Sequence, residues 1–294
     1  MTERADRTNA TASDAPGHMT PGHMVGHVLR LEEFLSHAVY ESALPDPRLR
    51  RWVERYWSVT WDLEPGRSHV VTTLDDPSIH LTREWGGVRR DGVDGAGTWI
   101  TGPVTRGRFD VTQLGSGGVV GVKFHVGGTT AFTRADLGAL RDTTIPASDW
   151  DGPDLPPSDL PPSAVGAAAR IDRWLLAHEP LEDPGFAAFR DVLALLQDPE
   201  VTGTSALEQR SGLGSRALQR MFHRFVGVGP KRMLLRERVM DAVSAIDSGD
   251  PRAPGDLAHD LGWFDQSHFV RDFRAITGQT PSRYAARAPE RLGP

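Results

Sequence analysis

The chain has 294 residues, 38% hydrophobic and 24% charged, enough for roughly two domains with their own cores. It contains no cysteine, which excludes disulfides, thiolate metal sites and cysteine nucleophiles. It also has no uncharged apolar run of about 18 residues and no apolar leader core, so a soluble cytoplasmic protein without a membrane span is expected. The net charge of −6 hides a split: residues 201–294 carry 14 Lys plus Arg against 10 Asp plus Glu, a balance of +4, and the rest carry 19 against 29, a balance of −10. An anion-binding C-terminal part joined to an acidic partner domain would look like this.

In chain order, residues 1–40 are rich in Thr, Ala, Asp, Gly and His and are expected to be a disordered arm. Its spaced histidines, His18, His23 and His27, are read as arm residues, with weak binding of a transition metal as the alternative. From Pro45, the spacing of Leu49, Trp52, Val53 and Tyr56 predicts a helix. Alternating stretches at 58–61, 69–74, 78–81, 98–102, 108–114 and 119–126 predict strands, with Gly and Asp between them, and together they fit an antiparallel sandwich or small barrel over 41–150. The glycines of GSGGVVG at 115–121 lack dinucleotide-loop spacing and open onto a strand, so they are read as a hairpin turn. His69, His80 and His125 lie on these strands. Convergence on a metal is the sharper alternative and satisfied or surface histidines the plainer one. Six of the eight tryptophans lie here, and Trp57, Trp61, Trp85 and Trp99 are candidates to line a small-molecule pocket, against ordinary aromatic packing.

Residues 151–163, DGPDLPPSDLPPS, predict a stiff Pro-rich spacer. Residues 164–199 predict a helical hairpin with apolar faces through Ile171, Trp174 and Leu175 and through Phe186, Phe189, Val192, Leu193 and Leu196. Dimerisation or coupling between domains is one use for the second face, and packing on a flanking domain is the other.

Two further helix pairs follow within residues 200–287. SALEQRSG leads through Leu213 and Gly214 into SRALQRMFHRFVG, and GDLAHDLG leads through Trp263 and Phe264 into DQSHFVRDFRAITG. Gly212 and Gly262 are placed as left-handed C-caps. Ser215 in the first pair, and Asp265 or Ser267 in the second, are placed to cap the next helix, with Trp263 and Phe264 bracing the turn. Shifted by 51 residues, Leu218 falls on Phe269, Arg220 on Arg271, Phe222 on Phe273, Gly227 on Gly278 and Pro230 on Pro281. The pattern is a duplicated helix-turn-helix joined by one long helix, PKRMLLRERVMDAVSAI. The fold class expected is therefore α+β with two domains, a β-rich barrel or sandwich followed by an all-α domain of two helix-turn-helix units. Residues 288–294 are a tail.

With Leu218, Met221, Phe222 and Phe225 inward on the first long helix, Arg216, Gln219, Arg220 and Arg224 are left outside. On the second, Phe269, Phe273 and Ile276 go inward, leaving Gln266, Ser267, His268, Arg271 and Arg274. Residues early on such a helix reach base edges, and later arginines suit phosphates. A solvated basic face is the plain alternative. The histidines and aspartates of 256–272 imply no catalytic constellation, and no catalytic residue, cofactor or metal is expected.

LGWFDQSHFVRDFRAITGQTPSRY at 261–284, SRALQRMFHRFVGVGP at 215–230 and the joining PKRMLLRERVMDA resemble the DNA-binding domain of AraC/XylS-type bacterial transcription regulators. The resemblance covers about 30% of the chain. It implies two recognition helices in successive major grooves, with base-reading roles on Arg216, Gln219 and Arg220 and on Gln266, Ser267, His268 and Arg271. Gly214 departs from the pattern at a turn position that more often carries a side chain. LPDPRLRRWVERYW and GVVGVKFHVGGTTAFT resemble the β-rich sensory domain of a subset of these regulators, without indicating a ligand. The partners implied are double-stranded promoter DNA, RNA polymerase, a small-molecule effector and a second copy of the chain. The alternatives are an N-terminal enzyme or binding module with a DNA-binding tail, and a nonspecific nucleoid-like binder, against which the modest basic balance argues.

Overall fold

The computed structural model describes residues 28–29, 31–74, 76–105, 107–153, 156–250, 252 and 254–286. Most of the arm, with His18, His23 and His27, and the tail lie outside the described residues. Residues 28–40, expected within the arm, instead contribute β1 (Val28–Leu29), α1 (Leu31–Leu35) and the start of β2 (Ala38–Ala43). Phe34 is the anchor of this segment, buried with Val59, Trp61 and Val71. Its apolar area explains why the arm's polar composition misleads beyond residue 27.

The remaining strands are β3 (Val53–Asp62), β4 (Ser68–Thr73), β5 (His80–Arg90), β6 (Val93–Asp94), β7 (Gly97–Thr101), β8 (Phe109–Phe124) and β9 (Thr144–Pro146). All nine form one antiparallel sheet, in which β1, β4, β8, β5, β7 and β9 follow one another, β2 pairs with β3, and β3 pairs with β8. β8 is the axle. Its first half pairs with β4 and its second half with β3 on one edge, and β5 runs along the other.

Two expectations fail here for one reason. The helix predicted from Pro45 is a series of turns to Trp52, after which Val53 and Tyr56 are already in β3. A bulge between Val53 and Arg55 puts an extra residue in the strand, so two residues three apart both face the core and imitate helical spacing. The hairpin turn predicted at 115–121 is instead the interior of β8. The register against β5 slips where Gly86 and Gly87 meet Leu114 and Gly117, so the glycines mark a bulge within a continuous strand. Gly86 has φ +73°, and a Cβ there would stand 2.2 Å from the Ser116 carbonyl oxygen.

After β9 the Pro-rich segment does not hold the domains apart. Pro153 and Pro156 are buried, and Leu160 packs on the main core. Helices α2 (Ala164–Ala177) and α3 (Pro184–Leu195) follow, capped by the side chains of Ser163 and Asp183. Asp172 of α2 accepts from the Tyr56 hydroxyl at 2.7 Å and from the Asp46 amide at 2.8 Å, fastening the hairpin to the sheet. The apolar face of α3 is covered from within the chain, with Phe189 stacked on Phe225 at 4.8 Å and edge-on to Phe222 at 5.5 Å. Such pairs contribute about 0.5–1.5 kcal/mol each beyond area burial. Dimerisation through the Phe186 and Leu196 face is thereby corrected to intramolecular packing, both side chains being buried.

The C-terminal helices are α4 (Thr204–Ser211), α5 (Ser215–Val226), α6 (Pro230–Asp247), α7 (Pro254–Asp260), α8 (Gln266–Thr277) and α9 (Pro281–Ala285). One core cluster spans β3, β8, α2, α3 and α5, so the first helical unit shares its interior with the sheet. A second joins α6, α7 and α8 to Leu74, just beyond β4.

Candidate nucleic-acid interface and sensory cavity

Each supporting helix ends on a left-handed glycine, Gly212 with φ +69° after α4 and Gly262 with φ +83° after α7. The second recognition helix is capped by Asp265, whose Oδ1 accepts from the His268 amide at 2.7 Å. The first lacks such a cap: Ser215 is already helical, and the N-cap position belongs to Gly214 in ordinary extended geometry, with φ −70°. The turns also differ from expectation at Phe264. Trp263 is buried and braces the turn, but Phe264 is 93% exposed and braces nothing.

Along α5, Arg216, Gln219, Arg220 and Arg224 are exposed while Leu218, Phe222 and Phe225 are buried. Along α8, Gln266, Ser267, Arg271 and Arg274 are exposed, His268 is half-buried, and the four exposed residues share one shallow groove with Val270 and Thr280. Phe269, Phe273 and Ile276 form the inner face. Three of the nine side chains have intrachain partners, Arg271 the loosest, with its Nε 3.9 Å from Asp272 Oδ1. Arg224 donates to Asp183 Oδ2 at 2.5 Å, at the N-cap of α3. His268 Nε2 lies 3.5 Å from Asp272 Oδ2, which also accepts from Trp263 Nε1 at 3.1 Å. Behind this, Arg238 of α6 lies over the Trp263 ring at 4.8 Å and donates to the Gly262 carbonyl at 2.9 Å. Burial holds its guanidinium below the usual arginine range.

One face of the sheet carries a partly open cavity of about 180 Å³, lined chiefly by side chains of β3, β4, β5 and β8. Trp57 and Trp61 line it, and Trp85 and Trp99 do not. Trp85 packs toward the main core, over Gly118, and Trp99 lies over Gly97. Alternation explains the split for Trp85: in β8, Val119 and Lys123 face the cavity while Val120, Val122 and Phe124 face the core. Glycines flatten the wall, since Trp61 lies over Gly117 and Trp57 over Gly121.

Ionisable groups converge on this cavity. Glu84 and Arg90 form a buried pair, with side chains 4% and 2% exposed, and Thr82 Oγ1 donates to the other Glu84 oxygen at 2.8 Å. Lys123 Nζ lies 3.4 Å from Glu54 Oε2 and 4.0 Å from Asp76 Oδ2. Burial raises the Glu54 pKa, but Lys123 and Arg55 outweigh it and leave the carboxyl below its ordinary value. Sequence reasoning missed Glu84, Arg90, Asp76 and Lys123, because the strand expected at 78–81 was not carried on to Arg90 and side chains that meet across a sheet are set by its register. The missed signal was the period-two run His80, Thr82, Glu84.

The three strand histidines are dispersed. His69 meets His37 edge-on at 4.1 Å, His80 meets Trp57 edge-on at 5.9 Å, and the His125 amide donates to the Trp52 carbonyl at 2.8 Å. No group of three or more potential metal ligands occurs among the described residues, and none of their helices is long and apolar enough to cross a membrane.

Residues 207–287 match the model of a family described as a helix-turn-helix domain. The chain carries an AraC-type helix-turn-helix DNA-binding domain. Residues 41–146 match a domain family of unknown function, DUF6597. No curated protein matches the chain. Among solved structures, the chain is similar to ToxT from Vibrio cholerae, at 10% identity over 80% of this chain and 99% of that one, with a TM-score of 0.40. The C-terminal domain of the response regulator AraT from Geobacillus stearothermophilus is 17% identical over 38% of this chain and 93% of that one, with a TM-score of 0.33. The DNA-binding domain of AdpA, in complex with a target DNA, is 24% identical over 38% of this chain and 100% of that one, with a TM-score of 0.31. At these scores none of the likenesses extends to ligand, target or partner.

The AraC-type domain is wired to the β-rich domain through α6, the helix that joins its two units. Arg236 is buried, donating to the Leu74 carbonyl at 2.7 Å and to Asp76 Oδ1 at 3.0 Å, and Arg232 donates to the Thr105 carbonyl at 3.1 Å. Asp76 also lines the cavity, so one carboxylate touches both the cavity of the β-rich domain and the spine of the DNA-binding domain.

Proposed function

We propose that this protein regulates transcription by reading promoter DNA through α5 and α8 in two successive major grooves, under control of a small-molecule effector held in the β-rich domain. The observation that carries the reading is the pair of equivalent helices with exposed Arg and Gln faces, set on a joining helix of 18 residues, about 27 Å long at 1.5 Å per residue. That length is of the order of one turn of B-DNA, about 34 Å. Arg216, Gln219 and Arg220 in one groove, and Gln266, Ser267 and Arg271 in the next, are assigned to base edges, with Arg274 on phosphate. RNA polymerase is the partner such a regulator addresses at a promoter.

The test is genome-wide mapping of bound sites followed by titration of one site in vitro. The expected result is sites with paired half-sites about one helical turn apart. Arg220→Ala or Arg271→Ala should weaken binding by about 1–3 kcal/mol and relax one half-site. Equal affinity for promoter and random DNA would sink the reading in favour of a nonspecific binder. A second reading, a binding module or enzyme with a DNA-binding tail, draws on the ionisable groups around the cavity. Their pairing with one another suits recognition better than turnover.

A further inference from the structure

We infer that Phe264 is a specificity-determining contact to DNA, and that its ring reads the methyl group of a thymine in the half-site taken by α8. The inference rests on the reading of α5 and α8 as recognition helices and adds to it one residue and one base.

Phe264 is the most exposed large apolar side chain among the described residues. Its neighbours explain why it stands outside. Gly262 ends α7 in the left-handed conformation, and Trp263 turns inward, its ring 4.9 Å from that of Phe269. Asp265 is extended, and its carboxylate is used on the His268 amide to cap α8. The turn is thus complete without the Phe264 ring, which packs on nothing that the fold requires.

Single apolar side chains on a surface are ordinary, so the place of this one decides its meaning. It lies two residues ahead of Gln266, at the end of a recognition helix that reaches base edges. Gln266, Ser267, Arg271 and Arg274 share the shallow groove that follows on the same helix. These are hydrogen-bonding groups and cations, a setting that matches a nucleic acid better than an apolar protein surface. In a major groove the apolar feature of a base edge is the thymine methyl group, and Phe is one of the side chains that suit it.

The two units differ at this point. Counted from Gly212 and Gly262, the counterpart of Phe264 is Gly214, which has no side chain and open space where a Cβ would stand. The apolar contact therefore belongs to the α8 half-site alone, and the α5 half-site is an internal control.

The experiment selects duplexes from a random library with the full chain, then titrates the consensus duplex with deoxyuridine in place of each thymine in turn. That exchange removes a methyl group and leaves base pairing unchanged. Arg271→Ala, which relaxes the α8 half-site, identifies which half it is. One thymine in that half should be sensitive, with deoxyuridine weakening binding about fourfold, the size of one buried methyl group. Phe264→Ala should bind the intact consensus about fourfold more weakly or worse, and deoxyuridine at that position should then make no further difference. No sensitive thymine in the α8 half, equal sensitivity in Phe264→Ala, or parental affinity in Phe264→Ala would each overturn the inference and leave the regulator intact. Parental affinity with reduced transcription in vitro would move Phe264 to a contact with RNA polymerase. Selection that yields no consensus would overturn the inference together with the sequence-specific reading beneath it.

Discussion

Arg236, in the middle of the helix that joins the two DNA-reading units, is bonded at 3.0 Å to Asp76, which stands in the wall of the β-domain cavity 4.0 Å from Lys123. A change at Lys123 therefore reaches the DNA-binding domain in two steps through one carboxylate. Asp76→Asn keeps the side-chain shape but removes the charge both cations share. It should lower stability by about 1–2 kcal/mol, the scale of a charged hydrogen bond. It should also reduce the dependence of DNA affinity on effector, measured as the ratio of dissociation constants with and without saturating ligand. An unchanged ratio would show that coupling runs elsewhere.

Arg224 belongs by position to the phosphate-facing end of α5, but it is paired with Asp183. Contact with DNA would have to break that pair. Arg224→Ala is therefore expected to weaken operator binding by well under the roughly 1–3 kcal/mol assigned to Arg220→Ala. Gel-shift titration of both variants at one salt concentration compares them directly.

Neighbouring aromatics in the second turn should behave oppositely. Trp263 is 4% exposed, stacks under Arg238 and donates to Asp272, so Trp263→Ala should cost about 3–5 kcal/mol. Phe264→Ala should stay within about 0.5 kcal/mol of the parent, because 93% of Phe264 already faces solvent. Urea unfolding midpoints decide, and comparable losses would contradict the assigned geometry.

The cavity wall depends on the absence of a Cβ. At Gly121 an added Cβ would stand 2.7 Å from Trp57 Cε2. Gly121→Ala should lower stability by about 1–3 kcal/mol through overpacking and shift the tryptophan emission. An unaltered spectrum with full stability would mean that Trp57 is free to move aside.

Acid should act through Glu54. Lys123 and Arg55 hold its pKa in the folded chain below the ordinary value of 4.5. The unfolded chain therefore takes up the proton first as the pH falls. The stabilisation is complete above about pH 4.5 and is lost as the pH drops through the lower, folded value. Glu54→Gln should flatten the pH dependence of unfolding in that window and leave the dependence above it unchanged, as chemical denaturation across a pH series would show.

The two reading helices were legible in the residues because their signals are local and repeated. Gly212 and Gly262 end helices, Asp265 starts one, and Phe269, Phe273 and Ile276 fall on one side of a 3.6-residue repeat that also recurs 51 residues earlier. None of these depends on a distant partner. The β-rich domain was legible only as a class. Its bulges at Val53–Arg55 and Gly86–Gly87 shift the two-residue period that sequence reading relies on, so a strand imitated a helix and a strand interior imitated a turn.

The amino-acid order thus determined by itself that two helix-turn-helix units exist, which of their faces are polar, and which side chains those faces expose. Tertiary structure alone decided that the α3 face closes on Phe222 and Phe225, that Arg224 is already engaged, and that Glu84, Arg90, Lys123 and Asp76 meet around one cavity. The physical reason is range. Helix periodicity and capping are settled by neighbours within about four residues. The partner of a buried charge is supplied by strands and helices far away in the chain, 160 residues in the case of Arg236 and Asp76.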